Sequence, residues 1–205
     1  MNRLIIAAVL GLLAACTGTS NSHEASETGA KSVAKIVSPP HSVVEGVARA
    51  PLTEELSPRV TNYVRVAPYA ATAGAITELG FEQINQSGFN LVVDLRIPDD
   101  LSFEQEGQIA SQLNVRYVSL PFAENKRVWR NVDRLALLLE DSSNYPVLIH
   151  CGSGNKAGAM WAFYRARQGV PGHLALKEGM EAGLTKAEPL VRELLGLDRT
   201  DLNEV

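Results

Sequence analysis

The chain has 205 residues, of which 45% are hydrophobic, 20% charged and 6% aromatic, with a formal net charge of −4. That balance excludes a disordered chain, a collagen-like repeat and a coiled coil, and it leaves no basic footprint for nucleic acid. The two cysteines are too few for a disulfide-dense scaffold or a four-thiolate zinc site, so each has to be explained by its own surroundings.

Met1-Asn2-Arg3 precedes an uncharged apolar run from Leu4 to Ala15. The run is shorter than the roughly 20 residues of a spanning helix and has the length of a signal peptide. It ends in Leu13-Ala14-Ala15-Cys16, which resembles the bacterial lipobox: small residues suit the signal peptidase, and the new terminal cysteine accepts the lipid. Residues 1–15 are therefore expected to be a lipoprotein signal peptide, with Cys16 as the lipidation site and a membrane as partner. Cleavage there removes Arg3 and leaves 18 basic against 23 acidic side chains, a net of −5. Thr17, rather than an aspartate, follows the cysteine, as in lipoproteins sent on to the outer membrane, so the expected place is the cell envelope, facing the periplasm. Residues 16–52 are rich in Ser, Thr, Ala, Glu and Pro without apolar periodicity and read as a flexible tether. Residues 53–205 remain for one folded domain.

Within that domain, strands are expected at Tyr63–Val66, Leu91–Leu95, Val115–Leu120 and Pro146–Ile149. The last is a continuous apolar run of the kind covered on both faces. Helical patterns occupy Thr77–Gln86, Phe103–Leu113, Val128–Glu140, Asn155–Gln168, Leu174–Glu181 and Glu188–Leu195. Alternation of this kind predicts an α/β domain with a mainly parallel central sheet flanked by helices. Ligands in such sheets collect beyond the carboxyl ends of the strands, which directs attention to the turn after Ile149.

That turn reads His150-Cys151-Gly152-Ser153-Gly154-Asn155-Lys156-Ala157-Gly158. Glycines let successive N–H groups point into one concavity, and the helix that follows adds its positive end, so residues 152–157 are a candidate phosphate-binding loop. The same field favours a thiolate at its floor and makes Cys151 a candidate nucleophile aimed at phosphorus. The competing interpretation is a buried structural thiol. His150 is expected behind the loop, holding its backbone rather than serving as a base. Asp94 and Arg96, at the end of the second expected strand, form a candidate pair, with Arg96 a possible contact for an anion. Lys126, Arg127 and Arg130 read most simply as an exposed helix start, with an enlarged positive mouth as the alternative, and Trp129 and Trp161 as packing residues. His23, His41 and His173 make no metal-ligand spacing with carboxylates or thiols, and neither a metal nor a cofactor is expected.

His-Cys with a glycine three residues after the cysteine, between strand and helix, is similar to the signature of cysteine-dependent protein phosphatases. Tyr63-Val64-Arg65-Val66, Leu91-Val92-Val93-Asp94-Leu95-Arg96, His150-Cys151-Gly152-Ser153-Gly154-Asn155-Lys156 and Glu181-Ala182-Gly183-Leu184-Thr185 resemble more closely the bacterial beta-lactamase hydrolase-like, protein phosphatase-like domain. The resemblance spans roughly Val60 to Leu197. It implies the cysteine-phosphatase fold and a metal-free phosphocysteine mechanism, and it does not imply cleavage of beta-lactams.

Departures from the pattern matter. Tyrosine and dual-specificity phosphatases have an arginine six residues after the cysteine, where this chain has Ala157. The closer family has it five residues after, where this chain has Lys156, which keeps the charge but loses the planar bidentate fork. The hydroxyl that often follows the arginine is absent too, and Ser153 is a partial substitute. A general acid has to come from another segment. Glu124, in Pro121-Phe122-Ala123-Glu124-Asn125, has the right topological position, and Asp99 and Asp100 are the other candidates.

The first reading is thus a phosphatase-like hydrolase acting on a phosphate monoester through Cys151. The second is a weak or inactive module that binds an anionic, phosphate-bearing ligand. The third is a rhodanese-like sulfurtransferase, against which the His-Cys order and the helix entered directly from the loop both stand.

Overall fold

The computed structural model describes residue 56, residues 58–98 and residues 101–198, with the backbone alone at 101–103. Cys16, the signal peptide, the tether and the acid candidates Asp99 and Asp100 lie outside the described residues. Among the described residues, five strands and six α-helices follow one another in the order β1 (Val64–Ala67), β2 (Ala70–Ala73), α1 (Glu78–Gln86), β3 (Leu91–Asp94), α2 (Leu101–Gln112), β4 (Arg116–Ser119), α3 (Val128–Glu140), β5 (Val147–His150), α4 (Asn155–Arg167), α5 (Gly172–Glu181) and α6 (Glu188–Leu195). None of these helices is long and apolar enough to cross a membrane.

The sheet order is β1-β2-β5-β3-β4. β5 runs parallel to β2 and β3, and β3 runs parallel to β4; only the β1–β2 pair is antiparallel. The mainly parallel α/β architecture therefore holds, with one strand the sequence pattern did not announce. β2 is Ala70-Ala71-Thr72-Ala73, and alanine has little preference for a strand. It pairs because it is small and fully buried between β1 and β5, not because its residues favour an extended chain.

Side chains alternate across the sheet. Leu91, Val93, Val147 and Ile149 enter a core shared with α3, α4, α5 and α6, whereas Val92 and Leu148 enter a second core under α1 and α2. Continuing the alternation, Asp94 and His150, the last residues of β3 and β5, share the α2 side, opposite one another in register. α1 starts at Thr77, whose hydroxyl accepts from the Gly80 N–H at 3.1 Å, an N-cap bond. α3 carries the apolar stripe Val128, Val132, Leu135, Ala136 and Leu139 into the core. α4 is different: every residue from Ala157 to Arg165 is buried, as befits a helix enclosed by the sheet on one side and α3, α5 and α6 on the others. Inside it the Arg165 guanidinium donates to both oxygens of Glu178 on α5, at 2.5 and 3.1 Å, so the one buried charge on this helix is paired. Trp161 is fully buried, and Trp129 packs edge-on against Phe163 with centroids 5.2 Å apart, which places both tryptophans in packing roles.

Candidate active site at the carboxyl end of β5

β5 ends at His150 and α4 begins at Asn155, leaving four residues to turn the chain. Gly154 makes the turn possible: its φ of 87° is left-handed, a conformation that costs a residue with a Cβ. The loop is also held from the side. The Cys151 N–H donates to the Ala73 carbonyl at 3.2 Å, the Ala75 N–H donates to the Gly152 carbonyl at 3.1 Å, and the Asn62 amide donates to the Ser153 carbonyl at 2.9 Å. β2, the strand without a sequence signal, thus leads into the segment that braces the loop.

With its Gly152 and Ser153 carbonyls bonded to Ala75 and Asn62, the loop sits at the head of α4, whose first-turn N–H groups have no carbonyl one turn earlier to bond. One loop amide is already committed to sulfur: the Gly154 N–H donates to Cys151 Sγ at 3.2 Å. Cys151 is only 2% exposed, yet it lines a cavity of about 400 Å³ together with Arg96, Ile97, Gly152, Ser153, Asn155 and Lys156. Two cations and no carboxylate are among these lining residues.

The predicted residues divide by what their side chains do. Lys156 faces the cavity, and its Nζ lies 3.3 Å from Oε1 of Glu124, which is 70% exposed. The fold therefore brings the predicted cation and the predicted acid into contact. Ala157 is fully buried in the core and does not line the cavity, so the position six residues after the cysteine offers the ligand no side chain. Asn155 remains in the loop, but its side-chain oxygen points away from an anion's place. It accepts from the N–H groups of Thr185 and Ala187 at 2.8 and 3.0 Å and tethers the loop to the α5–α6 turn. Lys126, Arg127 and Arg130 are exposed around the start of α3.

Behind the loop, the pair Asp94 and Arg96 belongs to a larger network. The Arg96 guanidinium donates to Asp94 Oδ2 and Glu106 Oε2, both at 2.7 Å, and the Tyr117 hydroxyl donates to Asp94 Oδ2 at 2.5 Å. His150 Nε2 lies 3.5 Å from Glu106 Oε2 and 3.7 Å from Asp94 Oδ1. Burial pushes the His150 imidazole down to about 4 against the pull of Asp94, which leaves the ring neutral at physiological pH. Burial works upward on the Asp94 carboxyl, but hydrogen bonds from Arg96, helped by His150 and Tyr117, hold it below the usual carboxylate range. Glu106 goes the other way: burial pushes it up to about 7 despite Arg96, and the Asp94 charge adds to the push. Asp94, Glu106 and His150 are close enough to share a metal ion, but the Arg96 guanidinium already supplies the positive charge both carboxylates require. Glu106 and Tyr117 were not among the predicted site residues. A signal existed for Glu106, which stands four and seven residues before Ala110 and Leu113, on the apolar stripe of α2.

Comparison with known proteins agrees with this geometry. P. aeruginosa TpbA is 24% identical with a TM-score of 0.54, covering 71% of this chain and 95% of TpbA. A second structure of TpbA, with its cysteine replaced by serine, is a complex with pTyr. The core catalytic domain of the S. cerevisiae PP-IP phosphatase SIW14, in complex with citrate, is 15% identical with a TM-score of 0.57, covering 68% and 86%. A DUF442 protein from Shewanella putrefaciens CN-32 is 22% identical with a TM-score of 0.55, covering 67% and 93%. No curated protein matches the chain. These likenesses show the cysteine-phosphatase-like fold. The family model described as DSP-PTPase phosphatase fused to NAD+ kinase matches residues 61–188, more than half of the sequence, and the chain belongs to that family.

Proposed function

We propose that the protein hydrolyses a phosphate monoester through a phosphocysteine intermediate on Cys151. The observation that carries this reading is the position of Sγ, hydrogen-bonded by the Gly154 N–H in a cavity whose lining includes Arg96 and Lys156 and no carboxylate. The Cys151 thiolate attacks phosphorus, the P–S bond forms and the ester P–O bond breaks. The leaving oxygen takes a proton from an acid at the mouth, for which Glu124 is the best placed of the described carboxylates. Water then attacks the phosphocysteine, giving a proton back to the carboxylate at the mouth; the P–S bond breaks, the thiolate departs and inorganic phosphate is released. Loop amides and the two cations hold the phosphoryl oxygens in both steps, where charge develops. Ile97, 55% exposed at the rim, offers an apolar contact to the group being released. The pTyr bound by TpbA and the citrate bound by SIW14 support an anionic ligand here.

Lys156 makes the site a weak gripper of phosphate. Lys156→Arg is expected to raise kcat/KM for small aryl phosphates by roughly tenfold, because a fork holds two oxygens where an ammonium holds one. Steady-state kinetics checks this, and a fall would show that the loop is built around lysine. The same lysine, held by Glu124, favours the second reading of a module that binds without turnover. A panel of phosphate monoesters run beside inorganic phosphate binding separates the two, since binding with no phosphate release on any ester selects the module.

The similarity to beta-lactamase hydrolase-like domains supports a bacterial setting, and the lipobox ending at Cys16 supports a lipoprotein tethered by residues 16–52 and facing the periplasm. Cys16→Ser is expected to abolish incorporation of labelled palmitate and to move the protein out of the membrane fraction. Labelling that persists overturns the lipid anchor.

A further inference from the structure

Behind the cavity lies an ionisable carboxyl that the reaction above does not use. Glu106, on α2, is 7% exposed. Its Oε2 accepts from Arg96 at 2.7 Å, with the Tyr117 hydroxyl oxygen at 3.3 Å and His150 Nε2 at 3.5 Å. Arg96 in turn faces the cavity beside Cys151 and Lys156. One residue therefore lines the cavity and pairs with two buried carboxylates, Asp94 and Glu106. The charged or titratable groups that face Glu106 are Asp94 from β3, Arg96 just beyond it, Tyr117 from β4 and His150 from β5. Glu78 and Glu82 on α1, and Glu104 on α2 itself, are exposed to solvent.

A guanidinium that answers two carboxylates presents less positive potential to an incoming anion than one that answers a single carboxylate. We propose that Glu106 is a positioning residue of this site: through Arg96, its charge state sets how strongly the loop holds an anion. Binding tightens when Glu106 takes up a proton and weakens when it releases one. With Glu106 ionised, Asp94, Glu106 and Arg96 carry one net negative charge beneath the loop; with it protonated they are neutral. Burial places that change at about pH 7. Linkage makes the effect reciprocal: an anion in the loop must raise the proton affinity of Glu106 by the same factor. The inference rests on the reading of the loop as an anion site, and its test separates the two.

Sulfate is the probe, because it stays a dianion from about pH 5.5 to 8.5, and Cys151→Ser is the background, because it removes ionisation of the thiol. In that background the sulfate Kd is expected to rise about threefold to tenfold between about pH 6 and pH 8. Cys151→Ser combined with Glu106→Gln is expected to keep the tighter Kd across the range. A double variant with the full pH dependence, or a background with none, overturns the proposal. Carboxyl carbon NMR of Glu106 in the Cys151→Ser background needs no change at Glu106 itself. Saturating sulfate is expected to raise its titration midpoint, and an unmoved midpoint with sulfate bound overturns the proposal alone. Failure of sulfate to bind at any pH overturns the anion-site reading and this inference with it.

Discussion

Cys151→Ser is expected to reduce phosphate monoester turnover by at least about a thousandfold while leaving anion binding nearly intact. The reason lies in what the loop can and cannot do for each atom. Cys151 Sγ accepts from the Gly154 N–H at the head of α4, and sulfur is intrinsically the stronger nucleophile. A serine hydroxyl in the same place is far from its own ionisation, and among the described residues no base stands beside it: the adjacent His150 is neutral but enclosed on the α2 face of the sheet, and it faces Asp94 and Glu106. The groups that hold the anion, the loop amides with Arg96 and Lys156, are untouched by the change. Kinetics on small aryl phosphates, with acid trapping of labelled phosphoenzyme in the unmodified protein, reads both halves. Turnover that survives the substitution, or a trapped phosphate on another residue, defeats the phosphocysteine mechanism.

The largest expected loss of stability lies one turn into α4. A methyl group on Gly158 would stand 2.2 Å from the Leu184 backbone nitrogen and 2.6 Å from the Gly179 carbonyl oxygen. Both are main-chain atoms of α5 and the turn after it, so no side chain can swing aside. The Leu184 N–H also donates to that same Gly179 carbonyl at 2.9 Å, which ties the obstacle in place. Gly158→Ala therefore has to push α5 off α4, with an expected cost of about 3–5 kcal/mol, at the upper end for overpacking. Thermal melts should show a drop of about 10 °C or more. Gly152→Ala is the control: nothing lies within 4 Å of its added methyl group, so its melting temperature should shift by little. A Gly158→Ala protein that melts with the unmodified one removes close α4–α5 packing as a source of stability.

How much of this was legible in the sequence follows from where each signal resides. β3 and β5 announce themselves as apolar runs, and α3 and α6 match their predicted spans, because burial of one stripe or one strand is written into neighbouring residues. β2 carries no such mark, since four small residues extend only because β1 and β5 flank them. The depth of α4 was equally hidden: a helix buried all round has no polar face to reveal its period. At the site, Cys151 and Lys156 were visible through their spacing from the strand, and Glu124 through its topological place. The roles of Asn155 and Glu106 were not, because each is defined by partners on other elements. Asn155 looks like one more polar loop residue until Thr185 and Ala187 arrive to bond it. Glu106 looks like a surface carboxylate until α2 lays it against Arg96 and Tyr117.

The bond from Asn155 to the turn between α5 and α6 has a consequence for how this protein can be altered. The loop proposed to cradle an anion is built by two stretches of chain that fold against each other from thirty residues apart. Gly183 lies so near that a methyl group there would stand 3.3 Å from the Gly154 carbonyl oxygen. Whatever loosens the second stretch, such as a protease cut after α5 or the loss of α6, is expected to dismantle the loop while leaving Cys151 in the chain. Catalytic defects should therefore map to two separated segments of the gene, and damage to the later one would pass for a lesion at the reacting residue.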